Sequence, residues 1–133
     1  MREILFRAKL LFNGMWVYGC FVNSDFNGYE QIVSSADGAM YDIVSETLGQ
    51  YTGLGDKNGR KIFDGDIVRV LLSWDGDDVM DIGRVFYSEE LCGFYRTSKV
   101  FGDGCPSMTY TDEYEVIGNI YDNPKLIGEK TND

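Results

Sequence analysis

The sequence predicts a mainly β fold built as one compact antiparallel domain. Three observations carry that expectation. First, turn signals recur at short spacing, at Asn13-Gly14, Asp37-Gly38, Asp56-Lys57-Asn58-Gly59, Asp64-Gly65-Asp66 and Asp75-Gly76-Asp77-Asp78. Asn-Gly and Asp-Gly pairs between apolar runs are hairpin signals, because these residues tolerate the left-handed backbone such turns need. Second, the runs between the turns are short and alternate, which is the period of a strand. Third, the chain is 14% aromatic, with nine Tyr, eight Phe and sixteen Gly, a composition that suits pleated sheet.

The elements follow in order. Met1 to Lys9 reads as a first strand, with Ile4, Phe6 and Ala8 on one face and Glu3, Arg7 and Lys9, together with Leu5, on the other. Asn13-Gly14 turns it, and Met15 to Val22 returns, apolar on both faces. Residues 23 to 28 are turn-rich. Tyr29 to Val33 and Ala39 to Val44 pair around Asp37-Gly38. Ser45-Glu46-Thr47 suits either a helical turn or a strand that runs on through Gln50.

Residues 49 to 70 are the densest stretch. In the turn Asp56-Lys57-Asn58-Gly59 the Asp side chain can cap its own backbone. Asp64, Gly65 and Asp66 make a second turn, which feeds a strand over Ile67 to Trp74. Val68, Val70, Leu72 and Trp74 share one face of that strand, whereas Arg69 and Ser73 alternate with Ile67 and Leu71 on the other. One face is therefore expected in the core and the other partly covered.

Asp75 to Asp78 is an acidic turn, and Val79 to Tyr87 returns from it with Gly83 as a bulge or a close-approach point. Ser88-Glu89-Glu90 links to Leu91 to Tyr95, and residues 102 to 109 form a loop. Tyr114 to Tyr121 is the last strand, with Gly118 and Asn119 as its turn-forming residues. Pro124 ends regular pairing, because proline has no N–H to donate. Leu126 and Ile127 are expected to tuck against the body. Residues 1 to 127 then make a single domain, 48 to 121 admit an SH3-like small barrel, and 128 to 133 read as a disordered tail.

The segment QYTGLGDKNGRKIFDGDIVRV resembles the YopX family of phage and prophage proteins. So do the opening MREILFRAK, the WVYG at Trp16 to Gly19, and the closing YEVIGNIYDNP from Tyr114 to Pro124. The resemblance spans Met1 to about Ile127. Gly55 stands where the family more often has a charged residue, and residues 20 to 45 and 75 to 110 carry no matching motif. The resemblance implies a mainly β fold and a phage or prophage setting, and it carries over no catalytic or binding residue.

Composition narrows the classes further. A chain of 133 residues, 44% hydrophobic, fits one globular domain able to bury a core without a metal or disulfide staple. It has neither a long apolar run nor a basic-then-apolar opening, so neither a membrane span nor a secretory signal is expected. Cys20, Cys92 and Cys105 are odd in number and widely spaced, which reads as free thiols in a reducing bacterial cytoplasm. The net charge of −10 disfavours a surface that tracks phosphates.

No histidine is present, so the commonest neutral-pH base and metal ligand are missing. Gly53, Gly55 and Gly59 fail the spacing of both common phosphate loops. The acids at Asp64 and Asp66, and at Asp75, Asp77 and Asp78, lack the alternating pattern of a calcium loop. The expectation is a non-enzyme with no cofactor and no metal. A protein partner, either a host factor or a second copy in a homo-oligomer, is the favoured ligand. Two other readings stay open. Tyr87, Tyr95, Tyr110, Tyr114 and Tyr121 could stack bases of a nucleic acid, although core and rim packing is the commoner use of tyrosine. An acidic face could instead imitate DNA.

Overall fold

The computed structural model describes residues 2–23, 29–110 and 112–128; the side chain of Trp74 lies outside that description. The chain divides into two compact units, Met1–Gly53 and Leu54–Asp133. Among the described residues there are nine strands and one short 3-10 turn. No helix is long and apolar enough to cross a membrane.

The first unit holds β1 (Phe6–Leu10), β2 (Trp16–Asn23), β3 (Glu30–Ser34) and most of β4 (Met40–Gly55). All are antiparallel. β1 pairs with β2, β2 with β3 and β3 with β4, and β4 then pairs back onto β1. The four strands thus form a ring of pairings. Inside it Ala8, Leu10, Val17, Ile32 and Ile43 are buried, with Phe6, Phe21, Tyr41 and Leu48 against them.

Closing the ring requires β4 to bend. Its register with β1 shifts between Val44 and Gly49, and Thr47 sits in the gap. The Thr47 hydroxyl accepts from Lys9 N at 2.8 Å and donates to Val44 O at 2.6 Å. Thr47 therefore restores hydrogen bonds that the irregular ladder leaves open, and residues 45 to 47 stay in the strand and form no helical turn. β1 begins at Phe6, not Met1, and Ile4 is exposed.

The second unit holds β5 (Lys61–Phe63), β6 (Asp66–Trp74), β7 (Asp77–Ser88), β8 (Gly93–Arg96) and β9 (Tyr114–Asn119). β5 follows the end of β4 in the first sheet, and the other four form an antiparallel sheet ordered β8-β7-β6-β9. The pairings of the described residues leave this order open, whereas those over residues 6 to 50 make a ring. Ile62, Val68, Val70, Val85, Tyr114 and Val116 form the core. The turn between β6 and β7 is only Asp75-Gly76, both at positive φ (51° and 83°). Such a two-residue turn matches the twist of the flanking strands. Asp77 and Asp78 therefore belong to the ladder, opposite Trp74 and Ser73, and not to the turn.

Gly83 marks a close approach. A Cβ there would lie 1.8 Å from the carbonyl oxygen of Thr97. That packing brings residues 96 to 100 over β7, where Asp81 and Arg96 are both fully buried. Arg96 Nη1 donates to Asp81 Oδ2 at 2.7 Å, and Ser98 Oγ donates to the same oxygen at 2.6 Å. The other oxygen accepts from Lys99 N and Val100 N. Burial alone pushes the carboxyl up, but these donors outweigh it and bring the Asp81 pKa down to about 2.

Other boundaries shift. β8 begins at Gly93, because Leu91 and Cys92 are in the turn and Cys92 has φ 54°. β9 ends at Asn119, and Pro124–Ile127 is a 3-10 turn. Leu126 is exposed there, whereas Ile127 is half-buried. The turn-rich residues 24 to 28 and the tail from 129 lie outside the described residues.

Four expectations can be measured by chemical unfolding. Asp81→Asn should destabilise the protein by about 3–5 kcal/mol, because Arg96 is left buried without its counter-charge. A depressed carboxyl stabilises the fold above its unfolded pKa and stops doing so as pH falls through the folded one. The Asp81 contribution should therefore be complete above about pH 4 and vanish toward about pH 2. Separately, Gly59→Ala should cost only about 1 kcal/mol, since φ is +84° but nothing lies within 4 Å. Gly83→Ala should cost about 3 kcal/mol or more, because backbone must move.

Candidate functional site

Two of the grooves among the described residues are lined by exposed large apolar side chains. The first is at the β1–β2 hairpin tip. Gly14 N donates to Leu10 O, Leu10 N donates to Met15 O, and Asn13 Oδ1 accepts from Met15 N at 2.9 Å. Asn13 and Gly14 therefore satisfy the turn. Leu11 and Phe12 do not contribute side chains to it, yet they are 58% and 74% exposed. Leu11 N donates to Asp42 O, which holds the tip beside the start of β4 and places Met40 next to it.

The result is an apolar groove of about 330 Å³ lined by Leu11, Phe12, Met40 and Tyr41, with Gln31 and Asp42 on its rim. Gln31 Nε2 donates to Asp42 Oδ1 at 2.8 Å. Tyr41 donates its hydroxyl to Asp37 Oδ2 at 2.5 Å. That bond is the main reason the Asp37 carboxyl is held below its usual value and the Tyr41 phenol above its own. The arrangement offers an apolar floor and a polar rim, in which Gln31 Nε2 and Asp42 are bonded and the buried Gln31 Oε1 has no partner among the described residues. Met40 adds a side chain that adapts its shape to what it meets.

The second surface lies on β6, β7 and β9. Leu71 and Met80 stand opposite each other in the ladder, 57% and 51% exposed. Beside them Arg69 pairs in register with Glu115. Arg69 Nε donates to Glu115 Oε1 at 3.0 Å, its Nη2 reaches the same oxygen, and Lys57 Nζ lies 3.6 Å from it. The hydrogen bond from Arg69 is the first cause that lowers the Glu115 carboxyl.

The turn residues singled out in the sequence hold this second surface in place. Asp56 Oδ1 accepts from Asn58 N and Arg60 N at 2.9 and 2.8 Å, and its Oδ2 accepts from Val116 N at 3.0 Å. Burial raises the Asp56 carboxyl, and the three backbone donors, led by Val116, more than reverse it. Gly59 closes the turn at φ +84°, and Lys57 N donates to Tyr114 O. Asp64 and Gly65 form the next turn; Gly65 N donates to Val85 O, and its carbonyl accepts from Ile120 N. Asp66 is buried, and its Oδ2 accepts from Phe63 N at 2.8 Å.

Gly118 and Asn119 are the last residues of β9, and the turn proper begins at Ile120. Asn119 caps it, since Oδ1 accepts from Tyr121 N and Asp122 N. Gly118 leaves room for Asn123, whose Oδ1 would stand 2.5 Å from any Cβ there. These eight residues bring residues 56 to 66 together with residues 114 to 123, and none of them lines either of the two grooves described.

The other candidates scatter. Tyr114 is in the core, donating to Asp112 and accepting from Thr109 N, whereas Tyr110 is exposed and Tyr87 packs edge-on against Phe94. Tyr114 belongs to the core of the second unit, and Tyr87, on β7, is separated from it by β6 in the strand order. Cys20, Cys92 and Cys105 are free and exposed. Among the described residues no group of three or more acids or cysteines is placed to hold a metal ion. Sequence reasoning passed over Leu11 and Phe12; the available signal was two large apolar residues directly ahead of a complete Asn-Gly turn.

A family model described as "YopX protein" matches residues 5–128. The chain belongs to the YopX family. The match runs through both units and includes the Asp56 turn, β6 and β9. Among solved structures, this YopX-family chain is similar to the one titled "Crystal structure of protein EF1440 from Enterococcus faecalis", at 25% identity and TM-score 0.58. The similarity covers 96% of this chain and 99% of the other. A search of curated proteins finds no match.

If Leu11 and Phe12 serve the surface and not the core, Phe12→Asp should change unfolding free energy by less than about 0.5 kcal/mol. Ile32→Asp, inside the ring, should unfold the first unit. Circular dichroism melting curves of the two variants make the comparison.

Proposed function

We propose that this YopX-family chain is a non-catalytic accessory protein of a phage or prophage that acts in the bacterial cytoplasm by binding protein. The supporting observation is the hairpin tip: Leu11 and Phe12 are exposed beside Met40 although the turn is complete without them. Exposed large apolar side chains cost solubility, and a contiguous set of them with a polar rim is the usual mark of a docking surface. The backbone geometry points the same way. Within the first unit the strands pair in a ring, so a partner would be met by side chains and not by a free strand edge.

Such a surface binds through a few anchors. Phe12 is the largest and most exposed of them, and a partner with an apolar pocket would cover it. Hot spots of this kind are enriched in aromatic residues at the centre of a patch, with polar groups excluding water around them.

The experiment compares wild type with Phe12→Asp as bait in host-cell lysate, followed by titration of the recovered protein. The expected outcome is one partner bound by wild type, with affinity reduced about tenfold or more by Phe12→Asp. Equal recovery by both baits would remove the hairpin tip from the proposal. Nucleic acid retained in a filter assay, with affinity falling steeply as salt rises, would replace the proposal with nucleic-acid binding.

A further inference from the structure

We infer that the groove on the second unit, around Leu71 and Met80, is the contact surface for a second copy of this chain. The inference concerns a different surface from the hairpin tip and goes beyond the reading given above. The groove has a volume of about 370 Å³. Its apolar part is the cross-strand pair Leu71–Met80. Its charged part is arranged in two signs. Lys57 and Arg69 share the one carboxylate of Glu115, which leaves that cluster with net positive charge. Asp112 and Glu113 line the same groove. Asp112 accepts from the hydroxyls of Thr109 and Tyr114, neither of which carries a compensating charge.

A surface that carries both signs side by side complements a copy of itself. Across a two-fold axis, residue i meets residue j of the partner while j meets i. The Lys57 and Arg69 side of one copy then faces the Asp112 and Glu113 side of the other, twice. The Leu71–Met80 pair of each copy comes to the centre, where apolar side chains lose water and charged ones stay at the rim. The net charge of −10 opposes association at long range. At physiological salt that repulsion is screened beyond about 8 Å, whereas contacts made within the groove are screened much less.

The sheet leaves this face as its means of association. Val116 N is bonded to Asp56 and Tyr114 O to Lys57 N, so the outer edge of β9 is occupied at both places. On β8, Arg96 N donates to Pro106 O, and Phe94 O accepts from Met108 N. With both edges covered, a second copy is met by side chains and not by pairing strands.

Sedimentation velocity on the full chain tests the inference through a charge swap. Wild type is expected to dimerise reversibly. Leu71→Asp, Lys57→Glu and Glu113→Lys, each alone, should weaken the dimer by at least about tenfold in Kd, since like charges then face each other. An equimolar mixture of the Lys57→Glu and Glu113→Lys chains should dimerise again. Only in that mixed pair does each contact hold one acid and one base. Recovery in the mixture is specific to an isologous contact and would not occur if the groove served another protein. A monomeric wild type at sub-millimolar concentration, or a dimer insensitive to Leu71→Asp and to both charge reversals, would overturn the inference. Phe12→Asp should leave the dimer unchanged, so loss of partner capture and loss of self-association are read apart.

Discussion

The carboxylate of Asp56 is the constraint on which the second unit depends. It bonds three backbone N–H groups, two within its own turn and one sixty residues away at Val116. A turn held only by local bonds could form anywhere along an unfolded chain. The third bond ties this one to the edge of β9, and so decides which strand lies against β6. Lys57 and Glu115 are brought together as a consequence, because Lys57 lies in the turn and Glu115 precedes Val116 by one residue, and Arg69 joins them from its register position on β6. Removing the acid would leave buried donors unpaired, a larger cost than losing one ordinary hydrogen bond.

The same bond has a second effect, on the sheet edges. An exposed edge strand offers unpaired backbone groups and invites the wrong partner. In the first unit the problem is met by pairing β4 with both β3 and β1. In the second it is met by loops, the Asp56 turn over β9 and residues 106 to 108 over β8. Recognition that adds a strand to a sheet edge is therefore closed off at these places. Exposed apolar side chains remain on both units, among them Leu11 and Phe12 on one and Leu71 and Met80 on the other.

How much of this could be read from the residues follows from how local each cause is. The hairpins at Asn13-Gly14, Asp37-Gly38 and Asp56 to Gly59 are local chemistry, and each reverses the chain in the structure. The inward row of β6 is likewise a matter of alternation, and Val68 and Val70 are buried as the pattern requires. The ring of the first unit is not local. It rests on Thr47 repairing a register shift between β1 and β4, and a lone threonine between Glu46 and Leu48 gives no sign of that. The Asp81–Arg96 pair was equally hidden, since an Asp and an Arg fifteen residues apart look like two surface charges until Gly83 lets the Thr97 backbone approach. Phe12 was missed for the opposite reason: its neighbours explained the turn so completely that its own role went unasked.

The acids of this chain deserve a different weight from the one that net charge suggests. Asp56, Asp66 and Asp81 are buried acceptors for backbone N–H groups, and Glu115 is taken by two cations. These carboxylates close turns and hold strands, work that fixes each of them to one place in the fold. A surface that imitates nucleic acid needs its acids free and regularly spaced on one face. These four carboxylates are fixed in place by internal bonds, whereas the net charge of −10 already counts the cations that pair with them. Asp56 and Asp66 show one use of the acids that the total does not reveal, which is to hold close reversals by accepting from backbone N–H groups.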